Sequence, residues 1–567
     1  MRAQQPPGLQ PRRPSAPTGQ KLFHGPEIDD NEVKFSTKLG TGCFGTVWKG
    51  SCFQKEVAVK IPVVQNLNRE QLAAFRKEVE IMSTNHHPNI ILFMGACTVP
   101  GKFKIVTELM DTDLETLLHS DVSLSLYERM KMAKDAALGM NWLHHSTPTI
   151  IHRDLKTANL LIEKTANLYR VKLCDFGLSE IKPKERAWLQ DPKNGAKGTP
   201  LFMPPEVMMG QPFDEKSDVY SFGIVLWEIL TRKEPFAHYD DYDEFTEAVC
   251  DRHERPPIPD NCPPSLRRLM EACWHPDPRK RPNFEDVNNH LDIILIHAAI
   301  YDEQGRRFWQ ENFIRMEEAE WDHFVETFYK FLRIDRPEDD VTPDEVSPYL
   351  LVGTGGNLSA SGEFEINAGD ASQKFAEDHV PANEILNLRC LKTLLVNHDN
   401  KSGDKKGYVN VERFGNILNW FGPLIKKKDR TPFLDAIREI LQEAWFHGDI
   451  ETGEAQRRLN GQGAGCFLVR FSTNPSHPGC FTISKVSANG KVAHIRISHS
   501  AEGFSVNDEH TYPSLPELVE KLSKALDLRF PCPGSQYSQL FSAGGSVDLG
   551  GYVRYTGDDD YARGGRK

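Results

Sequence analysis

The chain has 567 residues, and at about 150 residues per domain that length suggests three or four folding units. With 39% hydrophobic and 26% charged residues it has the make-up of a globular protein, which excludes collagen-like, coiled-coil and wholly disordered classes. Its 68 Lys and Arg against 80 Asp and Glu leave a net charge of −12, so no overall field holds nucleic acid or an anionic membrane, and any phosphate must be gripped locally. Residues 1–32 are rich in Pro, Gln and Gly and too poor in large apolar side chains to offset their ordering entropy, which predicts a disordered leader. Pro11 and Pro14 bracket two Arg in a PxxP pattern of a kind that also occurs often by chance. No apolar stretch follows the opening charges, so a secretory signal is not expected. The densest apolar runs, Ile224 to Leu230 and Ile294 to Ile300, fall far short of the ~20 residues that span a bilayer.

From Val33 onward the pattern is strand-rich first and then helical. GTGCFGTV, Gly40 to Val47, places Gly40, Gly42 and Gly45 where a hairpin backbone can approach a polyphosphate that a Cβ would obstruct. Such a turn is weak as an isolated signal. The alternating run VAVK then ends on Lys60, and Glu78 lies in FRKEVEIM at helical spacing, a carboxylate of the kind that a buried lysine requires. HRDLKTAN, His152 to Asn159, and CDFG, with Asp175 and Gly177, complete a set of four motifs in one order. Tyr127 to His145 reads as a helix through Met130, Ala133, Ala137 and Met140, and SDVYSFGIVLWEIL, Ser217 to Leu230, reads as a helix buried on every face.

On these motifs the segment resembles a eukaryotic protein kinase. The resemblance implies a two-lobed fold, ATP and Mg²⁺ as cofactors, and transfer governed by positioning and charge neutralisation. It implies that Lys60 holds the α- and β-phosphates, Glu78 orients Lys60, Asn159 and Asp175 bind Mg²⁺, and Asp154 takes the proton of the substrate hydroxyl. Adenine would lie between Leu39, Val47 and Ala58 above and Leu161 below, with backbone groups of Glu108 and Met110 reading its edge past Thr107. Lys156 and the form of GTPLFMPPE, Gly198 to Glu206, are similar to Ser/Thr kinases, where the lysine can contact the transferring phosphate. NIILFMGAC and CWHPDPRKRPNF resemble the tyrosine-kinase-like, Raf-like group, some of whose amoebal members are dual-specificity. Pro204 departs from the usual Ala of that segment, while Glu206 and its expected partner Arg281 remain. Between Asp175 and Glu206 the only hydroxyl side chains are Ser179 and Thr199, so loop phosphorylation has few candidate positions and activation is expected from elsewhere. Cys43 and Cys174 are read as inert thiols.

Residues 297–444 read as mainly helical, with Trp321, Phe324, Val325, Phe328 and Leu332 in one stripe and a polar break near Gly353 to Gly362. No function is legible there. HDNKSGDKKGYVNVE looks like a calcium loop, but with Gly407 at the sixth position the first, fifth and twelfth fall on Ser402, Lys406 and Arg413, so calcium is not expected.

The last unit opens with WFHGDI and GCFLVRFS. In a strand Leu468, Arg470 and Ser472 share a face, which buries an arginine beside a hydroxyl and calls for an anion. Asn489-Gly490 marks a hairpin, and the returning strand sets His494 and Arg496 opposite Ala493, Ile495 and Ile497, while Ser514 and Glu517 have the spacing of a helix capping box. The segment resembles a Src homology 2 (SH2) domain. That implies phosphotyrosine as ligand, held by Arg470 with Ser472, Thr473, His494 and Arg496 around it. The arginine that usually clamps the aromatic ring falls on Thr452 here, which would weaken binding by about 1 to 2 kcal/mol.

The expected architecture is therefore α+β multidomain: a leader at 1–32, a protein kinase domain at 33–296, a helical linker region at 297–444, an SH2 domain at 445–530 and a flexible Gly-rich tail at 531–567. Kinase before SH2 resembles the amoebal Shk-type kinases. The 11 scattered Cys, without CxxC pairs, fit reduced thiols and a cytoplasmic location, with membrane recruitment through phosphotyrosine partners left open. Partners would be protein substrates and tyrosine-phosphorylated proteins, with no nucleic acid and no integral membrane segment. The alternatives are a catalytically silent scaffold that only captures phosphotyrosine, and a true tyrosine kinase; tail residues Tyr552, Tyr555 and Tyr561 would be candidate internal ligands of Arg470.

Overall fold

A computed structural model describes residues 25–42, 45–165, 169–183, 186, 188–189, 198–334, 382–397, 407–425, 432–472, 479–500, 502–507 and 510–541. Two compact units emerge: 1–124 with 131–290, and 125–130 with 291–567. Cys43, Thr473, the polar break, most of the calcium-like run and the three tail tyrosines lie outside the described residues.

The first unit begins with a five-stranded antiparallel sheet in the order β1-β2-β3-β5-β4, made of β1 (Val33–Gly42), β2 (Gly45–Cys52), β3 (Lys55–Pro62), β4 (Phe93–Cys97) and β5 (Lys104–Glu108). Alternation in β3 buries Val57 and Val59 and leaves Ala58 and Lys60 on the other face. Helix α1 (Arg69–Thr84) starts in a reciprocal Asn68–Gln71 capping box, and its buried stripe of Phe75, Glu78, Val79 and Met82 turns one carboxylate inward. The predicted leader is not disordered to its end. Ile28 is buried, and its N–H donates to Ala96 O at 2.9 Å, because Gly95 offers no side chain against it.

The second lobe is helical around two small sheets. Strands β6 (Thr112–Asp113), β8 (Leu160–Lys164) and β9 (Tyr169–Leu173) form one sheet, and β7 (Thr149–Ile151) pairs with β10 (Glu180–Lys182) in the other. The helices are α2 (Leu114–Leu118), α3 (Leu126–His145), α4 (Pro205–Met208), α5 (Lys216–Thr231), α6 (Tyr242–Cys250), α7 (Pro264–Cys273) and α8 (Phe284–Ala299). As its sequence requires, α5 is buried from Ser217 to Ile229 without a break. Arg281 donates to both Glu206 carboxylate oxygens at 2.6 and 2.9 Å, so Pro204 does not disturb that pair.

In the second unit α9 (Glu303–Phe313), α10 (Trp321–Leu332), α11 (Ala382–Leu395), α12 (Val411–Phe421) and α13 (Pro432–Leu441) accompany a sheet of β11 (Glu318–Glu320), β13 (Tyr408–Asn410) and β12 (Val396–Asn397). The α10 stripe is buried, and Phe308, Trp309, Phe324, Phe328 and Phe414 form one aromatic core. Next come β14 (Phe446–Gly448), α14 (Thr452–Leu459), β15 (Cys466–Phe471), β16 (Phe481–Val486), β17 (Val492–Ser500), β18 (Gly503–Ser505), β19 (Thr511–Tyr512), α15 (Leu515–Leu522) and β20 (Phe530–Pro531). Strands β14 to β19 run in sequence order, and β20 returns to pair with β15.

The mainly helical middle region packs on the strand that follows it: Trp420 of α12 stacks on Phe471 of β15 at 3.8 Å and 17°, and its indole N–H donates to Cys480 O at 3.2 Å. One expectation changes here. The tail is not flexible from residue 531. Cys532 and Tyr537 are buried, Tyr537 stacks on Phe446 at 5.6 Å, and Ser535 donates to Phe446 O at 2.6 Å, so this segment packs on the edge strand β14.

Candidate functional site

In the first unit the sheet register aligns the cleft. Val47 pairs with Lys60 and Ala58 with Thr107, so the hairpin, the lysine and the residue before the interlobe segment fall in line. Val47, Ala58, Thr107, Met110 and Leu161 are half-buried and Leu39 is 52% exposed, as walls of an open cleft would be. A Cβ on Gly40 or Gly42 would meet nothing within 4 Å, whereas at Gly45, with φ +157°, it would strike Ile61 O at 2.2 Å. The first two glycines thus leave room above the cleft, and the third closes the hairpin on β3. Lys172 donates to both Glu108 carboxylate oxygens at 2.8 Å, so the Glu108 side chain is engaged away from the backbone that was expected to read adenine.

Lys60 donates to Glu78 Oε1 at 2.6 Å and to Asp175 Oδ1 at 2.7 Å. Burial works against the ammonium charge, but the two carboxylates outweigh it and hold the Lys60 pKa above its ordinary value. Burial likewise opposes ionisation of Asp175, yet the same ammonium holds its carboxyl below the usual range. Glu78, buried and facing Asp175 across that ammonium, is the carboxyl pushed up. Asp175 stands at φ +61°, a left-handed conformation uncommon away from glycine and concentrated at functional sites.

Asp154 is the meeting point of the catalytic-loop motif. Its Oδ1 accepts from Thr199 N–H at 3.0 Å and Thr199 Oγ1 at 2.8 Å, and its Oδ2 accepts from Asn159 Nδ2 at 3.0 Å. Lys156 Nζ donates to Thr199 Oγ1 at 2.6 Å and stands 3.2 Å from Asp154 Oδ2. With its amide nitrogen committed to Asp154, Asn159 keeps its amide oxygen, and together with the Asp175 carboxylate this is the hard-oxygen set that suits Mg²⁺. His152 Nδ1 accepts from Asp154 N–H at 3.3 Å, so the tautomer that donates from Nε2 to Cys174 O at 3.0 Å is set. Cys174 is half-buried, and burial raises the pKa of its thiol, which disfavours the reactive thiolate.

One support was missed in the sequence reading. Asp218 accepts from the N–H groups of His152 and Arg153 at 2.8 Å each, which holds Arg153 at φ +69°. Its only signal was a carboxylate at the start of an otherwise apolar helix.

In the second unit Arg470 is 5% exposed. It donates to Thr452 Oγ1 at 2.8 Å and to the carbonyls of Phe471 at 3.2 Å and Ile450 at 3.4 Å, and its Nε has no partner among the described residues. Burial lowers its pKa, the cost of a cation enclosed with no carboxylate beside it among the described residues. Arg470, Thr482 and Arg496 lie directly across β15, β16 and β17, as do Leu468, Ser484 and His494. His494 Nδ1 meets Ser484 Oγ at 2.9 Å and its Nε2 meets Gln456 Nε2 at 3.4 Å; burial, then the Arg470 charge, hold its pKa down. Arg496 is exposed at the rim, and Ser472 continues the strand with its N–H on Cys480 O rather than touching the guanidinium. Thr452 therefore has a use that the missing arginine did not suggest: its hydroxyl steadies Arg470. Gln456, Thr482 and Ser484 were also missed, although Gln456 stands one turn after Thr452 and the other two alternate along one strand.

Residues 33–291 match the protein tyrosine and serine/threonine kinase family and residues 445–522 match the SH2 domain family. The chain is 45% identical to dual specificity protein kinase shkC of Dictyostelium discoideum over 525 residues, 91% of this chain and 95% of that one. It is 44% identical to shkA of the same organism, a second dual specificity protein kinase, over 540 residues and 95% of each. The serine/threonine-protein kinase CTR1 of Arabidopsis thaliana is 42% identical over 275 residues, 47% of this chain and 32% of that protein.

Proposed function

The chain belongs to the Shk family of SH2-bearing protein kinases, and from that premise we propose that it moves the terminal phosphoryl group of ATP to Ser and Thr hydroxyls of protein substrates, with Tyr as a second acceptor, and is brought to tyrosine-phosphorylated partners by Arg470. The observation that carries the reading is the Lys60 ammonium held between Glu78 and Asp175. A pseudokinase scaffold has no need to keep that triad together with Asp154 and Asn159.

Lys60 would hold the α- and β-phosphates, with Glu78 preventing its withdrawal. Asn159 and Asp175 would hold Mg²⁺, which neutralises charge on the phosphate oxygens when bound. Asp154 Oδ1 would exchange its bond to Thr199 for the acceptor hydroxyl and take that proton as the new P–O bond forms and the bond from the γ-phosphorus to the β–γ bridging oxygen breaks, releasing ADP. Lys156, 2.6 Å from Thr199, would offset charge on the transferring group. That lysine–threonine contact favours Ser and Thr acceptors. The names of the two Dictyostelium relatives favour Tyr as well.

At the second site a guanidinium enclosed with no carboxylate among the described residues suits a phosphate dianion. No helix among the described residues is long and apolar enough to cross a membrane. Radiolabelled transfer with phosphoamino-acid analysis tests the first site: Lys60→Met should abolish transfer, and wild-type label should fall on Ser and Thr with some on Tyr. Label equal to that of Lys60→Met would leave only the scaffold. Arg470→Leu should abolish phosphotyrosine-peptide binding, each lost charged hydrogen bond contributing about 1.5 to 3 kcal/mol; unchanged binding would refute that role.

A further inference from the structure

Phosphate added between Asp175 and Glu206 has almost nowhere to go. Ser179 and Thr199 are the only hydroxyl side chains in that stretch. Ser179 is fully buried, with its Oγ donating to His152 O at 3.4 Å, and Thr199 is bound to both Asp154 and Lys156. Phosphorylation of either would dismantle the arrangement it is supposed to assemble. Elsewhere, kinase activation segments are ordered by pairing a new phosphate with arginine, which sets the catalytic loop and the Lys–Glu pair together.

Arg153, next to Asp154, is a guanidinium whose side chain is 5% exposed, stacked 4.7 Å over the Phe213 ring. Glu180 lies opposite Ile151 in the β7–β10 pair, which brings its Oε1 to 3.4 Å from Arg153 Nη1. Its other oxygen, Oε2, is 3.0 Å from Nζ of Lys77, the residue beside Glu78 on α1. One carboxylate therefore joins the catalytic loop, the segment after Asp175 and the helix that carries the partner of Lys60.

We propose that Glu180 is a positioning residue for phosphoryl transfer: bridging Arg153 and Lys77, it fills the place that a phosphorylated side chain would otherwise take, so the enzyme is competent without phosphate on this segment. The proposal rests on the catalytic reading above. A carboxylate brings one negative charge where a phosphate brings about 1.5 to 2, and the single charge is shared between two cations. Because it is part of the chain, the bridge is present as soon as the domain folds.

The test uses the full chain after phosphatase treatment, with mass spectrometry verifying bare Ser179 and Thr199, and initial rates on casein with Mg-ATP. Wild type should transfer phosphate without a lag. Glu180→Gln should lower kcat by about tenfold to a hundredfold with the KM for ATP nearly unchanged, since binding groups stay while alignment is lost. Glu180→Asp should recover part of the rate. If Glu180→Gln also lowers Tm, Lys77→Gln probes the same bridge from its exposed end and should reduce kcat alone. A wild-type rate no higher than that of Asp154→Asn would overturn the catalytic reading and this proposal with it. Glu180→Gln at the wild-type rate, or a lag abolished by phosphate on Ser179 or Thr199, would overturn the proposal alone.

Discussion

Two carboxylates share one ammonium at Lys60, and their unequal titration follows from position: Asp175 is held low while Glu78 is pushed up. The same rule at a carboxylate held by burial rather than by an ammonium makes a stability prediction. Burial, with Glu128 adding repulsion, pushes Glu412 at the start of α12 from 4.5 up to about 7. The folded state then binds a proton more tightly than the unfolded one, so stability from this group is fully present below pH 4.5 and is lost as pH rises through about 7. Glu412→Gln removes that loss. It should stabilise the second unit at pH 8 by up to about 3 kcal/mol and by much less at pH 5. Urea melts of the full chain at both values check this, and an equal effect at each would contradict it. Among candidate site residues, Lys60, Glu78, Asp154, Asn159, Asp175 and Arg470 could be picked from the sequence because phosphate chemistry accepts few side-chain types. Gln456 and Asp218 escaped notice, and Thr452 was read only as a lost clamp, because hydroxyl, amide and carboxylate groups occur throughout the chain and only proximity gives these three a use.

At the scale of elements, periodicity served well where burial has one cause. Helix α5 was readable because an all-apolar surface must be enclosed, and α10 because its stripe repeats at the helical period. Helix α12 is a harder case, since Trp420 is only half-buried and off its main apolar face. Its partner, Phe471, lies on the strand that also carries Arg470, so α12 braces the strand from which the guanidinium projects. Trp420→Ala should cost about 2 kcal/mol through lost stacking and a lost indole hydrogen bond. It should also lower the melting midpoint of the second unit while Lys60-dependent transfer continues. A variant that melts like wild type would show the contact to be incidental.

For the whole chain, domain ends are set by what the core requires. His447 Nε2 donates to Cys532 O at 3.0 Å, and Tyr537 stacks on Phe446, so the C-terminal domain extends past the Pro531 at which its sequence pattern fades. Ending the chain after Pro531 should unfold that domain and abolish phosphotyrosine-peptide binding, whereas ending it after Phe541 should leave both intact; equal behaviour of the two truncations would refute this. Ile28 extends the first unit in the same way at its other end.

By itself the sequence determined the order of the parts, the periodic helices and strands, and which residues are candidates for phosphate chemistry, because motif spacing and periodicity are local properties of a chain. Tertiary structure alone decided that Glu180 meets Arg153 and Lys77, that Thr452 steadies Arg470, that Trp420 covers Phe471 and that Tyr537 completes a core. Each of these pairs a side chain with a residue distant in the sequence or on another element, and what selects the partner is the packing of the folded chain.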